Sequence, residues 1–485
     1  MVPRTPTQNN YPPNGPRLPA NPSGNKSYEY LTIVGSRAGG APLVARLAFA
    51  GHSGDHGTLR EVEIPSLYIG ASERNELNWG CITRRYANEI HTRRYRKLTH
   101  LTPDGDYYTL RRIKNCDAQN MRHYFKKLEK SQYLSSNDND TQAHGFTRWM
   151  ASSIETMAQY VPDLKMFFGY DINNDSPDRD STEALSRIPL AVINLDILGG
   201  AKPEATSIEY LYGESLYRAD PRANSIGDAG TPGSVSATRE VIVVGGTFNS
   251  PQILKLSGIS PADELSKFKI HIVKDLRGIG GNLQDRYEVG VSVVASSNFT
   301  LFENCTFITT PEDPCSSAWA ASNPDILAHG PYATNGIAIG LFARSSVAGP
   351  AHDLWVGGVP GLCQGCFPGM SRTVIMPSSE NYFTWLVLKA HSRNNAGTVN
   401  LTSPDPRDTS RIMFCSFGEG DARRQAHADL DIKAAVEGMK VFDDIVPIVE
   451  SDSLERVWPP REAWGHYTSC TCPMGADGDS MAVPD

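Results

Sequence analysis

Residues 239–265 read REVIVVGGTFNSPQILKLSGISPADEL, and this stretch indicates the fold of the chain more clearly than any other. The apolar run 241–244 has the length of a strand, and a pair of glycines, Gly245 and Gly246, follows it directly. A turn at residues 249–251 then leads into a short amphipathic helix. A strand that feeds a glycine-rich turn and a helix is how α/β folds bring backbone N–H groups close to a phosphate. Glycine pairs also end strands that bind nothing, so the spacing alone leaves both interpretations open.

The wording of this stretch carries a family resemblance. Residues 246–260, GTFNSPQILKLSGIS, resemble the second signature of the glucose–methanol–choline (GMC) flavoprotein oxidoreductases, with Ser260 where the family usually has glycine. Residues 275–286, DLRGIGGNLQDR, resemble the second loop with which that family contacts FAD. In this loop Gly281 and Arg286 replace the usual glutamine and histidine.

The resemblance implies an α/β FAD-binding domain of the Rossmann-like GMC type, and an α+β substrate domain with an antiparallel sheet. It also implies FAD as the cofactor and a small-molecule alcohol as the substrate, oxidised at its CH–OH group while a hydride passes to flavin N5. The wording is most similar to fungal choline-dehydrogenase-like members, although a secondary-metabolite alcohol fits as well. The cofactor contacts that the resemblance implies in this part of the chain are Gly246, Thr247, Asn249, Ser250 and Asn282.

A second glycine-rich turn, residues 35–40, follows the β-rich run 28–34 and precedes a helical pattern. This is the placement of the opening turn in a nucleotide-binding unit. Arg37 stands where the GxGxxG pattern has the glycine that lets the backbone approach a pyrophosphate. The pattern also expects an acidic residue roughly twenty positions later, at the end of a strand. Asp55 is the only carboxylate near that position, and no strand pattern precedes it. The candidate contacts in this turn are Gly35, Ser36, Gly39 and Gly40.

The catalytic candidates lie in WGHYTSCTCPMG, residues 464–475. This segment resembles the family's H-x-x-[GC]-T-C-x-M-G, whose histidine acts as the base near flavin N5. Aligning Thr471, Met474 and Gly475 with that pattern places Tyr467 at the histidine position. His466 is one residue before it and lies on the opposite face of an extended backbone. An imidazole titrates near working pH, whereas a phenol titrates near 10, so His466 is the better base. The alternative for His466 is a structural histidine.

The blocks of resemblance predict two discontinuous domains. The FAD-binding domain takes residues 28–150, 190–289 and 455–485, and the substrate domain takes residues 151–189 and 290–454, after a disordered tail at 1–27. Within them we expect a helix from Asp117 to about Tyr133, strands at 336–342, 384–390 and 396–401, and a helix at 428–450. Compared with the family, stretches are expected to be missing after Ser53, after Gly105 and near Gly199–Lys202, and in the family a further strand and helix would follow the position of Asp485.

Composition limits the partners of the chain. With 485 residues, 40% of them hydrophobic, it can bury a substantial core and should hold more than one structural unit. A net charge of −8 gives no basic surface for nucleic acid or an anionic membrane, and the apolar runs are too short to span a bilayer. Nine cysteines cannot all pair with one another. The C-x-x-C and C-x-C pairs at 363–366 and 470–472 lack partners at zinc-site spacing, so we expect no metal.

The location of the protein is a weaker inference. Residues 1–27 are rich in Pro, Asn and Ser and contain no apolar core of a signal peptide, which favours a cytoplasmic protein, with secretion as the alternative. Sequons at Asn298, Asn304 and Asn400 would permit glycosylation only if the chain entered the secretory pathway.

Four functions remain open at this point. The first is an FAD-dependent alcohol oxidoreductase. The second is an inactive or mis-spliced remnant of one, without stable FAD binding. The third is a non-enzymatic binding module that keeps the sheet at 290–412, and the fourth is an NAD-dependent dehydrogenase built on the same βαβ unit. The electron acceptor and the oligomeric state have no signal in the sequence.

Overall fold

A computed structural model provides the structure of the chain. The residues that it describes are 27–34, 82–84, 95–96, 126, 129–131, 150–154, 170–171, 186–187, 189–193, 207–213, 216–218, 223, 229–294, 298–299, 301–302, 304–307, 312–320, 330–334, 336–337, 339–350, 352–363, 381–416, 422–445, 468–473 and 481.

The described residues form eighteen strands and four α-helices. The strands are β1 Ser27–Val34, β2 Ile82–Arg84, β3 Tyr95–Arg96, β4 Glu129–Ser131, β5 Met150–Ile154, β6 Tyr170–Asp171, β7 Ser186–Arg187, β8 Pro189–Ile193, β9 Ser207–Tyr212, β10 Thr231–Val244, β11 Ile259–Ser260, β12 Lys274–Asp275, β13 Tyr287–Val294, β14 Ile339–Ala343, β15 Leu354–Pro360, β16 Tyr382–Lys389, β17 Thr398–Asn400 and β18 Arg411–Met413. The helices are α1 Gly246–Leu256, α2 Ala262–Lys267, α3 Pro314–Ala320 and α4 Ala422–Ile445, and Pro331–Ala333 form a 3₁₀ turn.

The predicted strand, glycine turn and helix are present as β10, Gly245 and α1. β10 lies between β1, to which it is parallel, and β9, to which it is antiparallel. The register pairs Val34 with Val244, the last residues of β1 and β10. Both strands therefore end at the same edge of the sheet, as the carboxyl ends of parallel strands do in a nucleotide-binding fold.

A six-stranded sheet in the order β13-β16-β15-β14-β7-β6 forms the largest described core. The strands β13, β16, β15 and β14 pair in an antiparallel manner, which agrees with the predicted sheet in this part of the chain. Alternate residues along each strand face α4, and the cluster between sheet and helix includes Val293, Leu341, Val356, Val387 and Ala434. The opposite face carries Glu288, Ser292 and Thr384, and Ser292 lies directly across from Thr384.

The structure shifts several predicted boundaries and corrects one element. The strands expected at 336–342, 384–390 and 396–401 are β14, β16 and β17, and the last helix runs over Ala422–Ile445. The helix predicted to reach Tyr133 is wrong at its end, because Glu129–Ser131 form β4 and pair in parallel with β5. Lys126 is helical, and the remainder of that prediction lies outside the described residues.

Two smaller sheets and a strand pair complete the architecture. The sheets have the orders β17-β18-β2-β3 and β4-β5-β8, and β11 pairs with β12 in parallel. Among the helices that the structure describes, none has the length and hydropathy of a membrane span.

Candidate functional site

The site begins at the turn between β10 and α1. Gly246, the first residue of α1, has a φ of +81°, a left-handed conformation that side chains rarely adopt. Gly245 is the N-cap and provides no side-chain hydrogen bond to the helix. The N–H groups of the first helical turn therefore lack a side-chain cap, and such groups attract anions.

Thr247 ties this turn to the segment that follows the catalytic candidates. Its Oγ1 donates a hydrogen bond of 2.7 Å to the carbonyl oxygen of Thr468. In return, Oγ1 of Thr471 donates a bond of 2.6 Å to the carbonyl oxygen of Thr247. Thr247 and Thr471 are 224 residues apart in the chain, so this reciprocal pair is a tertiary link between two of the motifs identified in the sequence.

The loop at 278–284 joins the same place from the other side. The backbone N–H of Gly280 donates to the carbonyl of Thr471 at 2.8 Å, and Gln284 and Ser469 exchange backbone hydrogen bonds of 3.2 and 3.1 Å. Nδ2 of Asn282 lies 3.5 Å from the carbonyl oxygen of Cys470. The second signature, the second FAD-type loop and the segment 468–473 thus form one cluster.

Asn249 contributes a polar atom that the described residues leave unsatisfied. Its Oδ1 is buried and has no hydrogen-bond partner among them. Because burying an acceptor without a donor is unfavourable, an N–H or O–H group of a ligand would be stabilised here. Ser250 follows it in α1 and is partly buried.

Several predicted site residues cannot be placed. His466 and Tyr467 lie outside the described residues, and so do Gly35, Ser36, Gly39 and Gly40. Thr468 follows Tyr467 directly, so the two catalytic candidates are one and two residues from an anchored position. The described residues contain no group of three His, Cys, Asp or Glu side chains that could hold a metal ion.

A buried ion pair beneath the loop was not recognised in the sequence. Lys255 of α1 is 1% exposed and pairs with Glu264 of α2, and its Nζ also lies 3.4 Å from Oδ1 of Asn400. Burial lowers the pKa of Lys255 and raises the pKa of the Cys472 thiol to about 11. This pair fastens α1 to α2 and β17, and it supports the loop because Lys255 lies against Gly280.

Glu288 at the start of β13 is a second residue that was missed. It is 6% exposed, and burial, followed by the charge of Asp285, raises its pKa to about 8. Burial and the nearby Glu288 also raise the pKa of the Cys363 thiol, to about 12. A signal was present, since an acidic residue is the second residue of a mainly apolar strand that follows the loop, but its burial requires the sheet.

Comparison with known proteins gives a consistent family. Residues 219–288 match the family model described as GMC oxidoreductase. The chain is 27% identical over 276 residues to an oxygen-dependent choline dehydrogenase of Pseudomonas syringae pv. tomato, covering 55% of this chain and 46% of that protein. It is 28% identical over 270 residues to the glucose methanol choline oxidoreductase atC of Aspergillus terreus, covering 52% and 42%. The match thus spans less than half the length of these curated relatives.

Solved structures of low identity share the fold. Formate oxidase of Aspergillus oryzae superposes with a TM-score of 0.64 at 19% identity, covering 88% of this chain and 82% of that one. Pyridoxine 4-oxidase from Mesorbium loti superposes with a TM-score of 0.60 at 15% identity, covering 95% and 91%. At these identities the likeness establishes the architecture and leaves the chemistry to the residues of this chain.

Proposed function

We propose that this chain, whose residues 219–288 match the GMC oxidoreductase family model, is an FAD-dependent oxidoreductase that acts on the CH–OH group of a small alcohol. The observation that carries the proposal is the reciprocal pair of hydrogen bonds between Thr247 and the 468–471 segment. It joins the turn that suits a dinucleotide to residues 468–471, which directly follow the catalytic candidates in the sequence.

Two features of the described residues fit FAD. The buried Oδ1 of Asn249 offers an acceptor to a hydroxyl or N–H group of the cofactor. The uncapped turn at Gly245 and Gly246 offers N–H groups to its pyrophosphate. We assign the remaining contacts to Thr247, Ser250 and Asn282, with Gly35, Ser36, Gly39 and Gly40, which follow β1 in the sequence, as further candidates. Bound FAD supplies the acceptor for the hydride that leaves the alcohol carbon.

The proton of the alcohol hydroxyl needs a base, and we propose His466 for this role, with Tyr467 as the alternative. An imidazole is the group whose ordinary pKa suits this transfer near neutral pH. Tyr467 adjoins Thr468, so both candidates lie within roughly 4–8 Å of that anchored residue along the backbone. The hydrogen bond from Thr247 would hold this short segment in a fixed position relative to α1.

We further propose a substrate with a cationic group, such as choline. Glu288 lies on the sheet face opposite α4, four residues after Gln284, which bonds to the 468–471 segment. Its carboxyl is predominantly protonated at neutral pH because its pKa is raised to about 8. A quaternary ammonium beside Glu288 would lower the pKa of the carboxyl group. The resulting carboxylate and the ammonium would then form an ion pair in surroundings of low dielectric constant. A neutral alcohol would leave the carboxyl protonated and would gain only a hydrogen bond.

The first test is retention of flavin. The full chain, incubated with excess FAD and passed through gel filtration, should keep a visible flavin absorbance in proportion to protein. Anaerobic addition of choline should then bleach that absorbance. His466→Ala should keep the flavin and lose the bleaching, whereas Tyr467→Phe should keep both. Loss of all flavin from the unmodified protein would contradict the proposed function.

The substrate class has a separate test. Glu288→Gln should raise the KM for choline at least tenfold and leave the KM for a neutral alcohol of similar size nearly unchanged. An equal effect on both substrates would count against the cationic substrate while leaving the oxidoreductase itself intact.

A further inference from the structure

A compact module between β13 and β14 holds a disulfide bond. Cys305 is bonded to Cys315 in the first turn of α3, with their Cα atoms 5.3 Å apart and ten positions apart in the chain. The carboxylate of Asp313 accepts hydrogen bonds of 2.9 Å from the backbone N–H of Cys315 and from Oγ1 of Thr306. The hydroxyl of the fully buried Tyr332 donates to the same carboxylate.

The module is built around the bonded state of the two cysteines. Cys315 is 6% exposed and packs in one apolar cluster with Cys305, Phe307 and Tyr332. Phe307 and Tyr332 are in ring contact, with centroids 5.5 Å apart. Disulfides of this kind persist in oxidising compartments, because cytosolic thiol systems keep cysteines reduced.

Two sequon asparagines, Asn304 and Asn400, differ in their surroundings. Asn304, in Asn304-Cys305-Thr306, is exposed, and so is its Thr306. The side chain of Asn304 has no hydrogen-bond partner among the described residues. Asn400, by contrast, is half-buried, its Nδ2 lies 3.3 Å from Oγ1 of Thr398, and its Oδ1 accepts from the buried Lys255. A glycan on Asn400 would break these contacts, whereas a glycan on Asn304 would extend into solvent.

We propose that Asn304 is an N-glycosylation site, and that the chain matures in an oxidising compartment where the disulfide between Cys305 and Cys315 forms. The exposed sequon and the disulfide are separate observations, and they point to the same compartment. The inference is independent of the flavin chemistry, and it favours the secreted alternative over the cytoplasmic location that the N-terminal composition suggested.

Both modifications have ordinary donors. The thiols of Cys305 and Cys315 exchange with the disulfide of a thiol oxidoreductase. Their S–S bond forms, the donor S–S bond breaks, and the donor leaves as a dithiol with the two protons and two electrons. At Asn304 the Nδ2 atom forms a bond to the anomeric carbon of a lipid diphosphate-linked oligosaccharide. The carbon–oxygen bond to the diphosphate breaks, the lipid diphosphate departs, and the amide proton passes to a base.

One digest of the native protein tests both parts. The full chain is isolated from the cells that make it, free thiols are alkylated without reduction, and a glutamate-specific protease cuts after Glu303 and Glu312. The peptide 304–312 then contains Asn304 and Cys305 and no other sequon. We expect it to be linked by disulfide to the peptide that begins at Asp313. We also expect aspartate at position 304 when the denatured chain is treated with peptide N-glycosidase before the digest. An alkylated Cys305, or an unmodified Asn304, would overturn the proposal.

Other sequons and variants supply the controls. The peptide that contains Asn400 should be unmodified in the same digest, and a glycan there instead of at Asn304 would also overturn the proposal. In a secreting eukaryotic host, Asn304→Gln should abolish the shift in electrophoretic mobility that the glycosidase produces at this site. Thr306→Ser keeps both the sequon and the hydroxyl near Asp313, so it should retain the shift. Loss of the glycan in Thr306→Ser would mean that folding of the module, rather than the sequon, governs the modification.

Discussion

Thr247 is the residue on which the proposed site depends most directly. Replacing it by valine removes the hydroxyl that donates to the carbonyl of Thr468, while the shape of the side chain is kept. We expect a loss of about 1 kcal/mol in the free energy of unfolding, and weaker retention of FAD on gel filtration. Thr247→Ser preserves the donor and should behave like the unmodified protein. Equal behaviour of the valine and serine variants would show that the link is dispensable.

The partner hydroxyl of Thr471 allows the link to be measured as a unit. Thr471→Val should cost a similar amount, since it removes the bond to the carbonyl of Thr247. The double variant should lose less stability than the sum of the two single variants, by roughly 0.5–1 kcal/mol, as expected for neighbours in one network. The measurement is urea unfolding of the four proteins, and strict additivity would argue that the two bonds form independently.

Glu288 gives a prediction for pH dependence. Its pKa is raised to about 8 in the folded chain, so between the ordinary value of 4.5 and about 8 the folded state holds a proton that the unfolded state releases. The contribution of Glu288 to the free energy of unfolding is fully present below pH 4.5 and is lost as the pH rises through about 8. Its upper limit is on the order of 5 kcal/mol. Glu288→Gln remains neutral throughout, so its Tm should exceed that of the unmodified chain at pH 8.5 and match it near pH 5. A constant difference at both pH values would contradict the shift.

At the scale of elements, the loop 278–284 contains two adjacent glycines with different surroundings. Gly280 has a φ of +72°, and a Cβ on it would lie 2.3 Å from the carbonyl oxygen of Val399. A Cβ on Gly281 would meet nothing closer than 3.5 Å. Gly280→Ala should therefore cost more than about 2 kcal/mol of stability and release bound FAD, because the backbone has to move. Gly281→Ala is the matched control and should change both quantities little, as measured by thermal unfolding and flavin absorbance.

The elements that could be predicted are those whose pattern is local. β10 and α1 follow from an apolar run, a glycine pair and an amphipathic turn within 26 residues of sequence, and the structure confirms them. β15 was missed because Gly357 and Gly358 interrupt its apolar pattern, and glycine is depleted in strands. The structure supplies the reason for both: a Cβ on Gly357 would lie 2.3 Å from the ring of Trp355, and one on Gly358 would lie 2.6 Å from the ring of Phe383.

The candidate site was predictable only in its parts. The motifs at 246–260, 275–286 and 464–475 could each be read locally, but the bonds between Thr247 and Thr471 span more than two hundred residues. The burial of Lys255 and Glu288 likewise depends on packing against elements that are distant in the sequence. Periodicity along the sequence contains no information about such contacts.

At the scale of the whole molecule, stability is a small difference between large terms, typically about 5–15 kcal/mol, so a single disulfide can decide whether the chain stays folded. The Cys305–Cys315 bond closes a loop of ten positions, which by its effect on the unfolded chain contributes about 3 kcal/mol. The double variant Cys305→Ser, Cys315→Ser should therefore unfold at a distinctly lower temperature than the unmodified oxidised protein. Dithiothreitol should lower the Tm of the unmodified protein to that of the variant and leave the variant unchanged. The four other described cysteines form no disulfide bond. A further drop in the Tm of the variant in dithiothreitol would therefore reveal a second bond and refute the assignment of this effect to one disulfide.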